Sequence, residues 1–497
     1  MSIIRTRRWI SITRLLSALL ALLVPLLLVP LIIAVIYKEP LSLYRAFLVP
    51  ATVSGGLALV LRFLTRNRKI HMDLPSSMIF CALSWILVSA VGSMPFMLGL
   101  GKGFTDSFFE AVSGFTTTGI TVFQGLDTMP ASILFWRAFI QWLGGLGILT
   151  FFLFITTNTD GEIWQLFGAE GHKISSSRPV PNVYRTIKIF WAIYGLYTLL
   201  ETLILTGLGL SLFEGLLHSL TSLSTGGFSN HDASVGYYAM AGYKNAHAIE
   251  YVITLFMFLG GMNFLVHYKM LREDPRIVYR DIENKLYVQI ILAFTGLTLI
   301  GMYMMGAFPQ TGLEEAFRKT IFQVVSLITT TGFGTEDIGS AFFPVITKQL
   351  FIILMILGGC VGSTAGGIKV LRALILGKLL KREVNKIHLP QGAVLPTTVN
   401  GQVVKDSEVL RIAALIFGWI LLIAIGAGIT ALFSDLGPFE AFSGMASAVG
   451  NIGPFYFSVE KMVSLSPVIK YTYIVGMLAG RLELLPLYVL LSKRVWI

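Results

Sequence analysis

The chain contains few charged residues and only two cysteines. Asp, Glu, Lys and Arg together make up 13% of its 497 residues, whereas 55% are hydrophobic and the mean hydropathy is +0.75. This composition excludes an ordinary soluble domain and indicates an integral membrane protein. Cys81 and Cys360 both stand in apolar stretches, which argues against a disulfide framework or a thiolate metal site.

The sequence also lacks the motifs of the common enzyme classes. There is no H-E-x-x-H and no G-x-S-x-G, and His218, His231, His247 and His267 are scattered without metal-ligand spacing. A phosphate-binding loop and a dinucleotide fingerprint are absent as well. We therefore expect neither an enzyme nor a bound organic cofactor on this chain.

Ten long apolar stretches account for most of the chain, and most of them reach the roughly 20 residues that a membrane-spanning helix needs. They are residues 12–36, 41–61, 76–100, 131–157, 184–210, 247–268, 286–308, 344–377, 409–433 and 467–491. The short alternating strands of a membrane barrel are absent. The first stretch follows several arginines and could be a cleaved signal peptide, but its length and the lack of an A-x-A-like site favour a retained helix.

The charges predict the orientation of these spans. With the N-terminus in the cytoplasm, ten spans place most of the 38 Lys and Arg residues inside and a slight excess of the 27 acidic residues outside. Both termini are then cytoplasmic. The net charge of +11 follows from this topology, so we expect lipid around the chain and no nucleic-acid partner.

Four short segments repeat one pattern, in which a glycine follows two or three small or polar residues. They are Thr116–Ile120, Ser224–Phe228, Thr329–Phe333 and Gly450–Pro454, with matched glycines at 119, 227, 332 and 453. Each lies between a short apolar stretch and a long one, so the chain is predicted to contain four copies of one module. A single such segment could be an ordinary turn, but four in register are not explained in that way.

Each module is predicted to consist of a spanning helix, a short helix, a loop and a second spanning helix. Residues 1–70 form a two-helix addition, and the modules cover residues 71–160, 184–272, 278–385 and 407–497. In the first module the short helix is Phe104–Phe115, which is too short to span. Asp106, Glu214 and Glu440 lie 13 residues before their matched glycines. They either complement the helix dipole or attract cations to an outer mouth.

Glycine-containing loops at membrane depth are tolerated only where they line water or protein. Four loops around one axis would form a ring of backbone carbonyls, which is how a bare cation can be coordinated. We predict that this ring is formed by Thr117, Thr118, Gly119, Thr225, Gly226, Gly227, Thr330, Thr331, Gly332, Asn451, Ile452 and Gly453.

The last span of the third module, residues 344–377, is interrupted by a run of small residues. Its predicted gate residues are Gly358, Gly359, Gly362, Ser363, Thr364, Ala365, Gly366 and Gly367, together with Arg481 in the last span of the fourth module. The run could instead be a close helix contact through G-x-x-x-G spacings. We predict an irregular loop beneath the ring, short of helical hydrogen bonds and easy to move, with Arg481 facing it. Arg481 could alternatively pair with Glu483 or Glu201, although Glu483 points to a different helix face.

With these features the chain resembles the TrkH/KtrB superfamily of potassium transporters. The four modules, the broken third-module helix and the late arginine carry the resemblance, and Gln141–Gly147 (QWLGGLG) together with the extra N-terminal helices is similar to the TrkH/TrkG branch. The resemblance implies inward potassium movement across a bacterial inner membrane, a homodimer with one pore per subunit, and a cytosolic TrkA-like nucleotide-binding ring. It also implies that this ring docks on the basic inner loop, which carries Lys378, Lys381, Arg382, Lys386 and Lys405.

Two classes of function remain open from the sequence. The first is a channel-like potassium translocator with a fixed filter, gated by the intramembrane loop and a regulatory subunit. The alternative is an alternating-access symporter coupled to protons or sodium, a class that often shows inverted repeats and intramembrane carboxylates. The modules of this chain run parallel to one another, and only Glu201 and Glu483 are acids within the spans.

Overall fold

The computed structural model describes residues 2–66, 72–147, 150, 183–306, 308, 312–390 and 395–492. Within these ranges the chain is helical apart from one two-stranded hairpin, so the predicted all-α class is confirmed. The N-terminal addition consists of α1 (Ser2–Ile36) and α2 (Leu41–Leu64), which pack against each other. The hydroxyl of Ser54 on α2 donates to the carbonyl of Leu20 on α1 at 2.8 Å.

The four modules follow in the predicted order, and each contains a short helix between two longer apolar segments. Module 1 contains α3 (Leu74–Leu100), α4 (Phe104–Phe115) and α5 (Ala131–Gly145). Module 2 contains α6 (Val183–Gly207), α7 (Leu212–Leu223), α8 (Tyr237–Met240), α9 (Ala246–Gly260) and α10 (Phe264–Arg272), followed by α11 (Ile277–Arg280).

Modules 3 and 4 are built in the same way. Module 3 contains α12 (Ile282–Met304), α13 (Leu313–Ile328), α14 (Val345–Ile356) and α15 (Val370–Lys386). The antiparallel hairpin of β1 (Thr397–Val399) and β2 (Gln402–Val404) follows. Module 4 contains α16 (Asp406–Leu432), α17 (Pro438–Gly450), α18 (Val459–Ser464), α19 (Pro467–Arg481) and α20 (Leu485–Leu491).

The expectation of ten continuous spans is wrong in its detail. Six described helices, α1, α2, α3, α6, α12 and α16, are long and apolar enough to cross a membrane. The second segment of every module is interrupted: α9 and α10 meet at 99°, and α14/α15 and α19/α20 are separate helices. In module 1, α5 ends at Gly145, and residues 151–157 of that predicted span lie outside the described residues. A break was predicted in module 3 only.

In three of these second segments a glycine lies in very close contact with the backbone of a short helix. A Cβ added at Gly144 would lie 1.9 Å from the carbonyl oxygen of Phe115, at the end of the short helix α4. The equivalent distances are 3.0 Å from Gly260 to Leu223 and 2.0 Å from Gly480 to Val449. The second segment therefore presses its backbone on the end of its own short helix, which only glycine permits.

The short helices α4, α7, α13 and α17 are largely buried and end at the four repeated loops. The acid near the start of α7 closes a capping box, in which Ser211 and Glu214 each bond the other's backbone amide. The carboxylate of Glu440 accepts from the backbone amide of Gly437 at 2.8 Å. These two acids therefore cap the N-termini of their helices, as dipole complementation predicts.

Candidate functional site

The four repeated loops share one backbone conformation. The matched glycines have positive φ, from 73° at Gly227 to 107° at Gly453. The residue two positions earlier is also left-handed in every loop, and these residues are Thr117, Thr225, Thr330 and Asn451, with φ between 51° and 56°. The alignment of the four loops that the sequence predicts therefore agrees, residue by residue, with their backbone conformations.

The fourth loop departs from the threonine pattern in sequence but not in shape. Asn451 has φ 54° and stands where the other loops have threonine. Asparagine enters the left-handed region far more easily than a β-branched residue does. A left-handed β-branched residue is strained by about 1–3 kcal/mol and persists only where its surroundings fix it, which is typical of functional sites.

The loops meet in a closed ring, with each glycine set against the carbonyl that precedes the next module's glycine. A Cβ added at Gly119 would lie 2.3 Å from the carbonyl oxygen of Gly226. The same relation gives 1.9 Å from Gly227 to Thr331 O, 2.0 Å from Gly332 to Ile452 O, and 3.1 Å from Gly453 to Thr118 O. The order 1, 2, 3, 4 and back to 1 brings the four matched glycines into contact with the four residues that precede them, which are eight of the twelve predicted ring residues.

Most carbonyls of this ring have no donor. In the described part of the chain, the carbonyls of Thr118, Thr331 and Ile452 accept no hydrogen bond from the protein, although these residues are buried. Buried carbonyls are normally satisfied, so a set of unsatisfied ones around a common centre calls for a partner such as water or a cation. The short helices also end here, and their C-termini carry partial negative charge.

Two buried side chains that sequence reasoning did not identify tie module 1 to module 2. The guanidinium of Arg137 on α5 binds the carboxylate of Glu110 on α4 at 2.8 and 2.9 Å, and it donates to the carbonyl of Ser229 at 2.9 Å. Glu110 in turn accepts from the backbone amide of Val122 just beyond the first loop. Their pairing could not be inferred from the sequence, because 27 residues separate them.

A second buried ion pair performs the same task between modules 2 and 3. Arg318 on α13 bonds the carboxylate of Glu250 on α9, and both side chains are at most 4% exposed. Removing one partner of such a pair leaves an uncompensated buried charge, which typically costs about 3–5 kcal/mol. The two pairs therefore fix the positions of adjacent modules around the ring.

The glycine-rich run of module 3 lies directly below the ring as an irregular segment. No helix covers residues 357–369, which rules out the alternative of a close helix contact through G-x-x-x-G spacings. The amide of Gly366 donates to the hydroxyl of Thr330 at 2.7 Å, and the hydroxyl of Thr225 bonds that of Thr364 at 3.2 Å. The run thus contacts the inner side of two ring loops.

The run lacks helical hydrogen bonds, but other segments bond it at several points. Thr364 donates its hydroxyl to the carbonyls of Leu223 and Gly260, both at 3.0 Å. The amide of Cys360 donates to the carbonyl of Gly261, and that of Val361 donates to the carboxylate of Glu283. The bent segment of module 2 supplies several of these partners, which is why irregular backbone is tolerated at this depth.

Arg481 faces the same run from module 4. Its guanidinium donates to the carbonyl of Thr364 at 2.9 Å and to the hydroxyl of Thr117 at 3.2 Å. It also donates to the carbonyls of Gly144 and Gly145 at 2.5 and 2.6 Å. Glu483, the nearest acid in the sequence, instead binds Arg372 at 2.6 Å.

The spaces on the two sides of the ring differ greatly. On the outer side a cavity of about 580 Å³ reaches all four matched glycines, and its lining includes four carboxylates and two cationic side chains. These are Asp232, Glu250, Glu336, Asp337, Arg137 and Lys319. Beneath the ring a small cavity of about 50 Å³ lies between the glycine-rich run, Arg481 and Lys369.

His231 joins the loops at the rim of the outer cavity. Its Nδ1 lies 2.5 Å from the carboxylate of Asp127, its Nε2 lies 3.4 Å from that of Glu214, and its ring stacks on Tyr237 at 3.5 Å. Burial alone would lower the pKa of His231, but the hydrogen bonds to Glu214 and Asp127 outweigh it and raise that pKa. The bond to His231, against the effect of burial, lowers the pKa of Glu214 to about 2.

Comparison with known proteins agrees with this architecture. A family model for TrkH, described as a cation transport protein, matches residues 51–495. The chain belongs to the TrkH family. It is 31% identical over 493 residues to the Trk system potassium uptake protein TrkH of Salmonella typhimurium, covering 98% of this chain and 99% of that protein. It is 30% identical over 491 residues to the TrkH of Escherichia coli, with the same coverage.

Solved structures extend the match to the whole fold. The crystal structure of the potassium transporter TrkH from Vibrio parahaemolyticus superposes with a TM-score of 0.86 and 28% identity, covering 98% of this chain and 100% of that one. The predicted fold of four pseudo-repeated modules plus an N-terminal helix pair is confirmed at this level. As a TrkH-family member, the protein is an integral membrane cation transporter, in a family whose members are not enzymes.

Proposed function

We propose that this protein takes up potassium through a channel-like selectivity filter formed by the four loops. The observation that carries the proposal is the closed ring of left-handed loops, in which three of the four carbonyls before the matched glycines accept no hydrogen bond from the described residues. Such carbonyls can replace the water around a cation as it enters a narrow pore. The relatives are named as potassium uptake proteins, which supports potassium as the transported ion.

The outer cavity gives cations a favourable approach. Glu250 is paired with Arg318 and Glu336 with Lys319, so Asp232 and Asp337 are the carboxylates of this cavity that attract cations above the ring. Asp337 uses one carboxylate oxygen to hold the amide of Gly339, and Asp232 accepts from the amide of Gly125. Both carboxylates line the cavity and can attract cations without forming a closed binding site.

The glycine-rich run and Arg481 form the gate of this pore. A guanidinium beneath the ring repels cations electrostatically, and the run fills most of the space through which they would leave. The hydrogen bonds of the run make the closed state a defined conformation and not a loose one. Opening then requires force on α15, which continues directly from the run.

Regulation comes from the cytosolic side. We infer a homodimer in the bacterial inner membrane, with one pore per subunit, both termini in the cytoplasm, and a TrkA-like nucleotide-binding ring docked on the inner face. The sequence predicted a basic docking loop, but four of its five basic side chains, Lys378, Lys381, Arg382 and Lys386, lie on the helix α15. A TrkA-like regulatory subunit that binds α15 can therefore pull on the gate directly.

Ion flux in proteoliposomes tests this proposal. The purified chain should carry potassium down its gradient, with rubidium close to potassium and sodium well below both, and an imposed proton gradient should not drive uptake. Potassium accumulation that requires a proton or sodium gradient would favour the alternating-access symporter instead.

A further inference from the structure

The second ring loop differs from the other three at the residue before its matched glycine. Thr118, Thr331 and Ile452 occupy this position in modules 1, 3 and 4, whereas module 2 has Gly226. Positive φ does not explain this glycine, because only the following residue, Gly227, is left-handed. Something other than backbone conformation therefore requires a missing side chain here.

The side chain of Gln141 occupies the space that a residue at 226 would fill. A Cβ added at Gly226 would lie 2.5 Å from the amide carbon and from Oε1 of Gln141. Gln141 is fully buried on α5 of the neighbouring module. Gly226 and Gln141 are thus a matched pair, in which one residue is small so that the other can reach the ring.

The carboxamide of Gln141 holds the second loop at two points. Its Nε2 donates to the carbonyl of Gly226 at 2.6 Å, and its Oε1 accepts from the amide of Phe228 at 2.9 Å. These two bonds bracket the matched glycine Gly227. The Gly226 oxygen is the same atom that lies against Gly119 in the ring. This pair of hydrogen bonds from Gln141, called the clamp below, therefore acts on a ring carbonyl itself.

The other described modules have no equivalent of this clamp. Gln141 stands three residues before Gly144, the glycine that presses on the end of α4. Three residues before the corresponding glycines Gly260 and Gly480 stand Met257 and Met477, which cannot donate a hydrogen bond. The ring therefore has one carbonyl with a protein donor and three without one.

We propose that Gln141 is a positioning residue for ion selectivity, which fixes the second loop so that the ring cannot contract around a smaller cation. This inference rests on the proposed filter. A carbonyl oxygen has two lone pairs, so the Gly226 oxygen can keep its bond to Gln141 and still face the ion. Without the clamp the loop can move inward toward sodium, and discrimination falls.

Gln141→Met tests the proposal, because it keeps the length of the side chain and removes both hydrogen bonds. We expect the potassium-to-sodium flux ratio in proteoliposomes to fall on the order of fivefold, while potassium flux is retained. Gln402→Met on the exposed hairpin is the matched control and should leave the ratio unchanged. Folding is checked by monodispersity in detergent.

A compensating pair keeps the test decisive if Gln141→Met does not fold. Gly226→Thr alone should prevent stable assembly because of its clash with Gln141, whereas Gln141→Ala/Gly226→Thr rebuilds the form of loops 1 and 3. The double variant should fold and show the lowered ratio. An unchanged ratio, or loss of flux for every cation in folded protein, would overturn the role of Gln141.

The ring variant Gly332→Ser separates failure of the clamp from failure of the filter. If Gly332→Ser lowers the ratio and the Gln141 variants do not, the filter stands and the clamp is refuted. If none of these variants changes the ratio, the filter proposal itself fails.

Discussion

Three threonines of the ring hold a backbone conformation that β-branched residues rarely adopt. Thr117, Thr225 and Thr330 have φ between 51° and 56°, and their hydroxyls bond Arg481, Thr364 and the amide of Gly366 respectively. These three side chains thus connect the ring to the glycine-rich run and to Arg481. The strain at these positions persists because these contacts and the short helices hold the loops.

A side chain at a matched glycine should impair selectivity. Gly332→Ser places a Cβ 2.0 Å from the carbonyl oxygen of Ile452, at a left-handed φ of 86°, so that carbonyl must shift. We expect the potassium-to-sodium flux ratio to fall by about tenfold or more, since a displacement worth about 1.4 kcal/mol between the two ions suffices. Gly428→Ser, where an added Cβ meets no atom within 4 Å, is the control. Retention of the parent ratio in several such variants would show that the loops are not the filter.

At the residue scale, the sequence identified the matched glycines because a repeat is visible without any structure. It did not identify Gln141, Glu110 or Arg137 as ring supports. Gln141 contacts residues 85 and 87 positions away, and a lone polar residue in an apolar helix has no period that points to its partner. Such supports emerge only once the modules are placed side by side.

The elements were predicted unevenly. The short helix Phe104–Phe115 has the predicted bounds, because it is an apolar run too short to span and is followed by a threonine-glycine turn. The breaks after Gly260 and at Gly480 were missed, since their apolar stretches continue across the break. Gly260 and Gly480 lie against the ends of their own short helices, and hydropathy does not record such contacts.

Weakening the gate should open the pore without the regulator. Arg481→Ala removes charge-assisted bonds to the carbonyls of Thr364, Gly144 and Gly145, each worth about 1.5–3 kcal/mol, and deletion of Ser363–Ala365 shortens the run itself. Regulator-free potassium flux should rise by at least about tenfold. Thr472→Ala on the outward side of α19 is the control. If folded and inserted deletion protein has the flux of the parent, the run is not the gate.

The rim of the outer cavity should respond to pH through His231. A histidine with a raised pKa gives stability that is fully present below its ordinary pKa of about 6.5 and is lost as pH rises through the raised value. The melting temperature of the parent should therefore decline as pH increases across that window. Thermal melts of His231→Gln should show a smaller decline, and equal slopes for the two proteins would contradict the bridge to Asp127 and Glu214.

At the scale of the whole molecule, the charge pattern predicted a basic inner face. In the structure, four of the five basic side chains assigned to docking lie on one helix, α15. Of the five basic side chains assigned to the docking face, Lys378 and Arg382 also hold α15 to the hairpin and to Asp406. Their loss would disturb the fold as well as any partner. The sequence alone could not separate these structural contacts from a docking surface.

Reversing the remaining basic charges should weaken binding of the regulatory ring. Lys381→Glu, Lys386→Glu and Lys405→Glu together should reduce co-purification of the TrkA-like subunit at low to moderate salt, and the difference from the parent should shrink as ionic strength rises, because salt screens exposed charges. A triple reversal of Lys38, Lys102 and Lys244, which the predicted topology places on the outer side, is the control. Undiminished co-purification would move the docking surface elsewhere.

The central claim is that the four loops surround a cation, and anomalous scattering tests it most directly. Crystals grown with thallium or rubidium in place of potassium should show an anomalous peak on the ring axis, among the carbonyls of Thr118, Gly226, Thr331 and Ile452, and sodium should weaken it only at high concentration. Protein that carries thallium in proteoliposomes yet shows its only anomalous peaks away from this ring would contradict the account.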